Sequence, residues 1–406
     1  MPSTAFPRPS IGVEEEFFLM GRLGRVLDDR APQVVKTARD ALGDHVQAEF
    51  LTSQIEVCTP PLASLASLRT ELTRLRRAVA VAAAAEGCLV VASGTPVLAP
   101  DRVVPVTDQP RYAHMAARYG ALVDQLGGGL CGCHVHLGTF DRAGALALGN
   151  RLRPWLPVIQ ALSANSPYVG GADTGYASWR SVMWEQWPTV GPAPQLDLHE
   201  YEHVIDALVR SDTILDRGML YWHSRPSEHV PTLEIRVADV CADPDTTVLI
   251  AALLRGLASV CLMDIREGRP APEVRAPLLT AAHRRAAQAG LAGVGLDPMT
   301  GSPEPAAVLL DRLVARATPA LDALGDLATV HTLLDGVRRD GCGADRQRSA
   351  YRRTGNLTGV IDDLAHTTAP GIEHPQSDGE LGLLPKLPRP DADDETPDVD
   401  EPDEVA

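Results

Sequence analysis

Hydrophobic and polar positions change period several times along the chain, and each change predicts an element. Ile11–Leu19 alternates with the two-residue period of a strand, and Phe50–Cys58, carrying Leu51, Ile55 and Val57, predicts a second, with a helix between them. Leu62–Glu86 is a long amphipathic stretch of Ala, Leu and Arg that predicts a helix. Cys88–Ser93 predicts a buried strand closed by Gly94 and Pro96. Arg111–Leu126 has helical spacing and ends at the Gly127-Gly128-Gly129 turn. Beyond it lie a strand at Cys131–Thr139, one or two helices over Ala143–Ser163 broken near Pro154, and a helix over Leu196–Arg210. Strand patterns return at Gly218–His223 and Thr232–Val237. From Asp245 to Ala369 the period is helical almost throughout, with breaks expected at Pro270, Pro303 and Pro319. There is no internal repeat. Strands that carry the polar motifs, followed by a helical C-terminal third, predict an α+β protein rather than a doubly wound sheet.

Composition narrows the functional classes. A chain of 406 residues at about 150 per domain suggests two or three domains, or one large unit. A single domain over 1–369 is expected, followed by an acidic, Pro-rich disordered tail over 370–406. That tail holds 12 acids and two bases, so it supplies most of the net charge of −16 and leaves the rest near balance. With 4% aromatic residues and no basic stripe, a nucleic-acid partner is not expected. No apolar run is read as approaching the roughly 18 residues that cross a bilayer, so no membrane is expected. The N-terminus shows no cationic start followed by an apolar run, which makes the cytoplasm the expected location. Seven cysteines without a C-x-x-C pair, placed largely in apolar stretches (Cys58, Cys88, Cys241, Cys261), predict reduced, buried thiols.

Five constellations carry candidate chemistry. In Val13-Glu14-Glu15-Glu16-Phe17, alternation puts Glu14 and Glu16 on one strand face and Glu15 on the other. Two carboxylates on one face repel unless a cation lies between them. A solvated acidic edge is the other reading, made harder by the flanking Ile11, Val13, Phe17, Phe18 and Leu19. Glu49 and Glu56 would enlarge an oxygen-rich pocket of the kind Mg²⁺ favours, or else cap a turn or pair with an arginine. His134 and His136 share a face of an apolar, glycine-flanked strand, which points to a metal or phosphate contact; a zinc hydrolase could use the same pair, but no third ligand sits nearby in H-E-x-x-H spacing. Glu234 and Arg236 also share a face, as a plain ion pair or as a metal ligand beside a guanidinium that neutralises a phosphoryl group. Finally, the Gly-rich stretch Ser166–Arg180, running on to Trp184–Pro188, gathers tryptophans and tyrosines around Arg180. It reads as a recognition loop for a carboxylate ligand, or as a well-packed loop. There is no P-loop and no dinucleotide fingerprint, so a bound nucleotide would be cradled by metal and arginine.

These motifs, in this order, resemble the carboxylate-amine ligases of the glutamate–cysteine ligase type 2 family. The matching blocks are IGVEEEFFL, AEFLTSQIEVCTPP, ASGTP, CGCHVHLG, SPYVGGADTGYASWRSVMWEQWPTVGP, TLEIRVADVCADPDTTVLIAALLRGL and TGNLTGVIDDLA, spanning residues 10–366. The resemblance implies a glutamine-synthetase-like curved antiparallel sheet with flanking helices. It also implies ATP-driven ligation of glutamate to cysteine through an acyl phosphate, with Mg²⁺ as the metal and a homodimer as the assembly. It carries the role of divalent-metal ligand to Glu14, Glu16, Glu49, Glu56, His134 and Glu234, of catalytic contacts to Arg236 and His136, and of substrate binding to Arg180, Arg111 and Tyr176. Two departures stand out. Where the family has W-R-A-x-R, this chain has Arg284-Arg285-Ala286-Ala287-Gln288, and Leu19-Met20-Gly21-Arg22 lacks the usual acidic turn. Other readings are a phosphotransferase of the same superfamily, a ligase for another amine, and a non-catalytic ligand-binding relative.

Overall fold

The computed structural model describes residues 5–138 and 141–372. Seven strands form one antiparallel sheet: β1 (Ile11–Gly21), β2 (Val46–Ala48), β3 (Gln54–Cys58), β4 (Cys88–Val91), β5 (Gly132–Gly138), β6 (Ser224–Pro226) and β7 (Thr232–Asp239). Their spatial order is β2-β3-β1-β5-β7-β6, with β4 taking over from β3 beside the last residues of β1. β1 is therefore the axis, paired on both sides. The alternation read from its sequence divides it into a front row, with Glu14 and Glu16, and a rear row, with Ile11, Val13, Glu15, Phe17 and Leu19.

The rear row packs on helices. Ile11, Val13, Val135, Leu137, Leu233 and Ile235 join one apolar cluster with the Pro244–Arg266 helix and the Ala306–Leu324 helix. Each large side chain fully buried in this layer contributes about 1.5–3 kcal/mol, and Phe17 and Leu19 of the same row join a second apolar cluster. Asp243 starts the Pro244–Arg266 helix by accepting from the Thr246 amide at 2.8 Å, with Pro244 at the first helical position, where its missing N–H is no loss. By length and composition this helix could cross a membrane, contrary to the expectation that no such run exists; most of it is buried inside the protein, as its all-round apolarity requires of a core helix. The fold is thus α+β, an antiparallel sheet with helices outside, as the motif order predicts. The expected tail lies outside the described residues except for its first few positions.

Other expectations change with the structure. Gly218–His223 is not a strand. Asp216 caps a tight 3-10 turn at Arg217–Met219 by accepting from the Met219 amide at 3.2 Å, and pairing starts later, at Ser224. Phe50–Cys58 is a strand only from Gln54, because a turn closed by Gln54 N–H on the Leu51 carbonyl at 2.9 Å precedes it. Pro319 does not break its helix, which runs through Ala306–Leu324. Ala317, Ala320 and Leu321 are buried around it, and that packing outweighs the roughly 3 kcal/mol cost of an internal proline. Part of the presumed recognition loop is a short helix, Trp179–Trp184, whose cap Ser178 accepts from the Ser181 amide. The seven cysteines are all free thiols, and all but half-buried Cys58 are buried.

One irregularity matters for the front face. Cys133 lies opposite Ala238 but Val135 lies opposite Ile235, so Arg236 and Val237 together face His134. Glu234 and Asp239, five residues apart, would fall on opposite faces of a regular strand. This β-bulge brings Asp239 opposite Gly132 and onto the same face as His134.

Candidate active site

Cross-strand register assembles the front row. Glu16 sits opposite Glu56, Glu14 opposite both Cys58 and His134, and His136 opposite Glu234. The ligand atoms fall into three overlapping trios, each within 4.8 Å: Glu16, Glu49 and Glu56; Glu14, Glu56 and His134; Glu14, His136 and Glu234. Glu49 joins from the loop between β2 and β3, where Thr107 holds its carbonyl. All six residues read from the sequence as metal ligands are therefore neighbours. His136, expected as a catalytic contact, stands among them.

The electrostatics of this cluster follow from burial and from like charge. Burial drives the Glu16 carboxyl above its ordinary range, with Glu49 adding to the shift. Burial does the same to Glu49, and lifts Glu56 well above its ordinary value with help from Glu49, Glu14 and Glu16. Glu14 goes the other way: burial opposes ionisation, but contacts with His134 and His136 hold it low. Glu234 is also held low against burial, by Arg236 and Arg225, the latter at 2.8 Å. Burial, then the charge on Arg236, lowers His134 and keeps that imidazole neutral.

The orientation of the imidazoles suits ligation. His134 turns Nδ1 to Glu14 Oε2 at 3.1 Å, and His136 turns Nδ1 to Thr232 Oγ1 at 2.9 Å. The Nε2 of His134 is buried with no hydrogen-bond partner, whereas Nε2 of His136 lies 3.1 Å from Glu14 Oε1, and against the effect of burial that carboxylate raises the His136 imidazole above its ordinary value. In His134 a carboxylate fixes one ring nitrogen while the other stays unpaired, the usual preparation of a metal-bound histidine. Five carboxylates around these two imidazoles form a donor set that a hard divalent cation fits, with the all-oxygen Glu16, Glu49 and Glu56 trio closest to what Mg²⁺ prefers.

Beside the trios opens a cleft lined by Glu16, Glu49, His134, Arg180 and Arg236 on one side and by Phe50, Met115, Trp184, Trp187 and Tyr221 on the other. Arg180 is buried, with its guanidinium 4.6 Å from the centre of the Trp184 ring; Arg236 lies 5.8 Å from the same ring. Nε and Nη1 of Arg180 and Nε of Arg236 are buried without a hydrogen-bond partner. Gly132 allows this placement. A Cβ there would come within 2.4 Å of Arg180 Nη2, and its amide donates to Glu16 Oε2 at 2.6 Å.

Two expected substrate residues stand apart. Arg111 is held at the surface by Asp216 through bonds of 2.8 and 3.0 Å. Tyr176 packs edge-on against Trp179 at 5.2 Å, with its carbonyl taken by Arg348, and does not line the cleft. Conversely, Arg225, Gln54 and Asp239 were not singled out by sequence reasoning. Arg225 follows directly from the register, since it lies opposite Glu234, but the strand that carries it was expected several residues too early.

Residues 10–366 match the model of the glutamate-cysteine ligase family 2. The chain belongs to this family. It is accordingly an ATP-dependent carboxylate–amine ligase. A protein of Salinispora arenicola (strain CNS-205) that carries the provisional name glutamate--cysteine ligase 2 is 44% identical over 364 residues, covering 89% of this chain and 95% of its own length. A similarly named protein of Saccharopolyspora erythraea is 42% identical, with the same coverage. Among solved structures, the glutamate–cysteine ligase of Francisella tularensis in complex with AMP superposes with a TM-score of 0.65 at 15% identity, over 92% of this chain and 91% of that one. A bifunctional glutathione synthetase from Pasteurella multocida gives 0.68 at 16% identity over 89% of this chain, which spans about half (52%) of the Pasteurella protein. At these identities the two structures speak to the fold, which is shared.

Proposed function

We propose that the protein acts in the cytoplasm as a Mg²⁺-dependent glutamate–cysteine ligase, joining the γ-carboxylate of glutamate to the amine of cysteine with release of ADP and phosphate. The observation that carries the reading is the set of three contiguous ligand trios on one sheet face, beside two arginines with unsatisfied N–H groups. Membership of the family and the provisional names of its relatives support the substrate pair. MgATP, when bound, supplies the phosphoryl group that turns a carboxylate into a reactive acyl phosphate, with the cation offsetting charge on the phosphates.

The chain's own residues supply the rest. Glu14, Glu16, Glu49, Glu56, His134 and Glu234 hold the cation, with His136 completing the third trio. Arg236, anchored to Glu234 and stacked near Trp184, faces negative charge in the cleft. Arg180 presents Nε and Nη1 to the carboxylate of the acid substrate, with Trp184 beneath its plane to limit its motion. The apolar wall of Phe50, Met115 and Trp187 keeps bulk water from the acyl group that the amine attacks. Arg111 and Tyr176 have no direct part in this reading.

Coupled measurement of ADP release tests the proposal. Full rate requires glutamate, cysteine and Mg²⁺ together, and mass analysis finds γ-glutamylcysteine. A phosphorylated small molecule in place of the amide would replace the reading with a phosphotransferase, and ADP release undiminished in Glu16→Ala would remove the metal platform.

A further inference from the structure

Behind the cleft, Arg180 is tied to a buried chain of polar groups that themselves have no part in the ligation chemistry. It starts at Arg180, whose Nη1 is 3.8 Å from Asp239 Oδ1. Ser178 Oγ donates to that same oxygen at 2.8 Å and meets Ser181 Oγ at 2.7 Å. Gln160 donates through Nε2 to Ser181 Oγ at 2.9 Å, leaving its Oε1 as acceptor for His283 Nδ1 at 2.6 Å. His283 Nε2 lies 3.4 Å from His223 Nδ1. The His223 ring is stacked on Trp184, with centroids 6.5 Å apart and planes at 26°, and Trp184 carries Arg180. The path thus leaves Arg180 through its carboxylate partner and returns to it through its aromatic platform. Arg180, Asp239, Ser178, Gln160, His283 and His223 are each at most 4% exposed.

The directions of these bonds are constrained. Because Gln160 uses its N–H groups on Ser181, its oxygen needs a proton on His283 Nδ1. A neutral His283 then offers Nε2 as acceptor, which needs a proton on His223 Nδ1. Neutrality is what the surroundings impose. Burial, then the charge on Arg180, pushes His223 down to about 3, and burial, His223 and Arg153 push His283 well below its ordinary value. A chain built this way fixes a ring without adding another cation next to Arg180 and Arg236, which an arginine or lysine in its place would do. Half-satisfied buried networks are costly, so a fully directed one holds its members in a single arrangement.

We propose that His283, His223 and Gln160 are positioning residues for the acid substrate, holding Trp184 and, through Ser181, Ser178 and Asp239, the guanidinium of Arg180 in the orientation that receives a carboxylate. The proposal rests on the reading of Arg180 as the carboxylate-binding group. Its reach is specificity: the chain acts on one substrate's affinity and leaves the metal trios untouched.

Two substitutions of similar size separate the effect from packing. Asn at 283 keeps a donor where Nδ1 stood; Leu removes it. His283→Leu is expected to raise KM for glutamate about tenfold, with kcat and KM for ATP within about threefold of wild type, whereas His283→Asn stays within about threefold on all three. A folded His283→Leu with unchanged KM for glutamate, or with kcat and both KM values degraded together, would overturn the proposal. Should His283→Leu not fold, imidazole ¹⁵N NMR of the wild-type protein at pH 7 decides: both rings neutral with the proton on Nδ1 is expected, and a charged ring or an Nε2–H form refutes it. If wild type turns over with another acid and not with glutamate, the substrate reading has failed, and the same KM split is read on that acid.

Discussion

Glu14, Glu15 and Glu16 are consecutive residues of one strand, yet their surroundings differ as much as the protein allows. On the rear face Glu15 is fully buried and completely matched. Arg76 meets it through Nε at 2.8 Å and Nη2 at 2.5 Å, Thr247 donates at 2.7 Å, and the remaining Arg76 N–H capacity goes to the carbonyls of Cys241 and Ala242. On the front face Glu14 and Glu16 stand among further carboxylates with too few cations, and three of that group are pushed toward the protonated form. Backbone and residue type are the same on both sides, so the difference comes from the partners that the register supplies. A charge that serves the fold is neutralised from within the chain; a charge that serves a ligand is left waiting for one.

The largest effects should come from unbalancing each face. Arg76→Met leaves Glu15 buried without its cation and is expected to cost about 3–5 kcal/mol in urea unfolding, the usual consequence of removing one partner of a buried pair. Glu16→Gln should lower ADP release by about 10²–10³-fold or more, as for loss of a group that stabilises transition-state charge, while the urea midpoint of the metal-free protein stays equal or rises. A Glu16→Gln variant as unstable as Arg76→Met would erase the contrast between the faces.

Gly132→Ala is next. The added methyl collides with the Arg180 fork, and KM for the acid substrate is expected to rise about 10–100-fold with smaller change in KM for ATP, as read by initial rates. A pH effect follows in sign from the raised carboxylates. Glu56 in the folded, metal-free protein keeps its proton above the ordinary value of 4.5, so the folded state binds more protons than the unfolded chain and loses stability as pH rises through that window. Relative to Glu56→Gln, metal-free wild type should therefore weaken from about pH 5 upward, by at most about 1.4 kcal/mol per pH unit for each proton, and saturating Mg²⁺ should cancel the difference. Thermal scans with and without chelator check both. Smallest of all, Arg338→Ala removes an exposed pair with Asp311 and should shift stability by less than about 0.5 kcal/mol.

What the sequence disclosed follows the reach of its local rules. Period-two alternation was enough to group Glu14 with Glu16, His134 with His136 and Glu234 with Arg236, because faces of a strand are a local property. That these three groups meet is a matter of register, which no single strand encodes; the order of motifs and their family resemblance carried that step. Arg225 stayed hidden because the Asp216 cap delays the strand on which it sits. His283 gave no signal at all. It is a lone histidine on an amphipathic helix, and its partners come from residues 160 and 223. Arg111 misled for the opposite reason, since its surface partner Asp216 is 105 positions away in sequence.

The extra residue in β7 sets a rule for variation in this stretch. Because the bulge alone turns Asp239 toward Arg180, length is under stricter control there than identity: Val237 replaced by Ile preserves the count. Deleting one residue between Arg236 and Asp239 would rotate the carboxylate into the apolar layer with Glu15, strip Arg180 of its anchor, and leave every ligand of the three trios in place, giving a protein that still takes up its cation but no longer orients its acid.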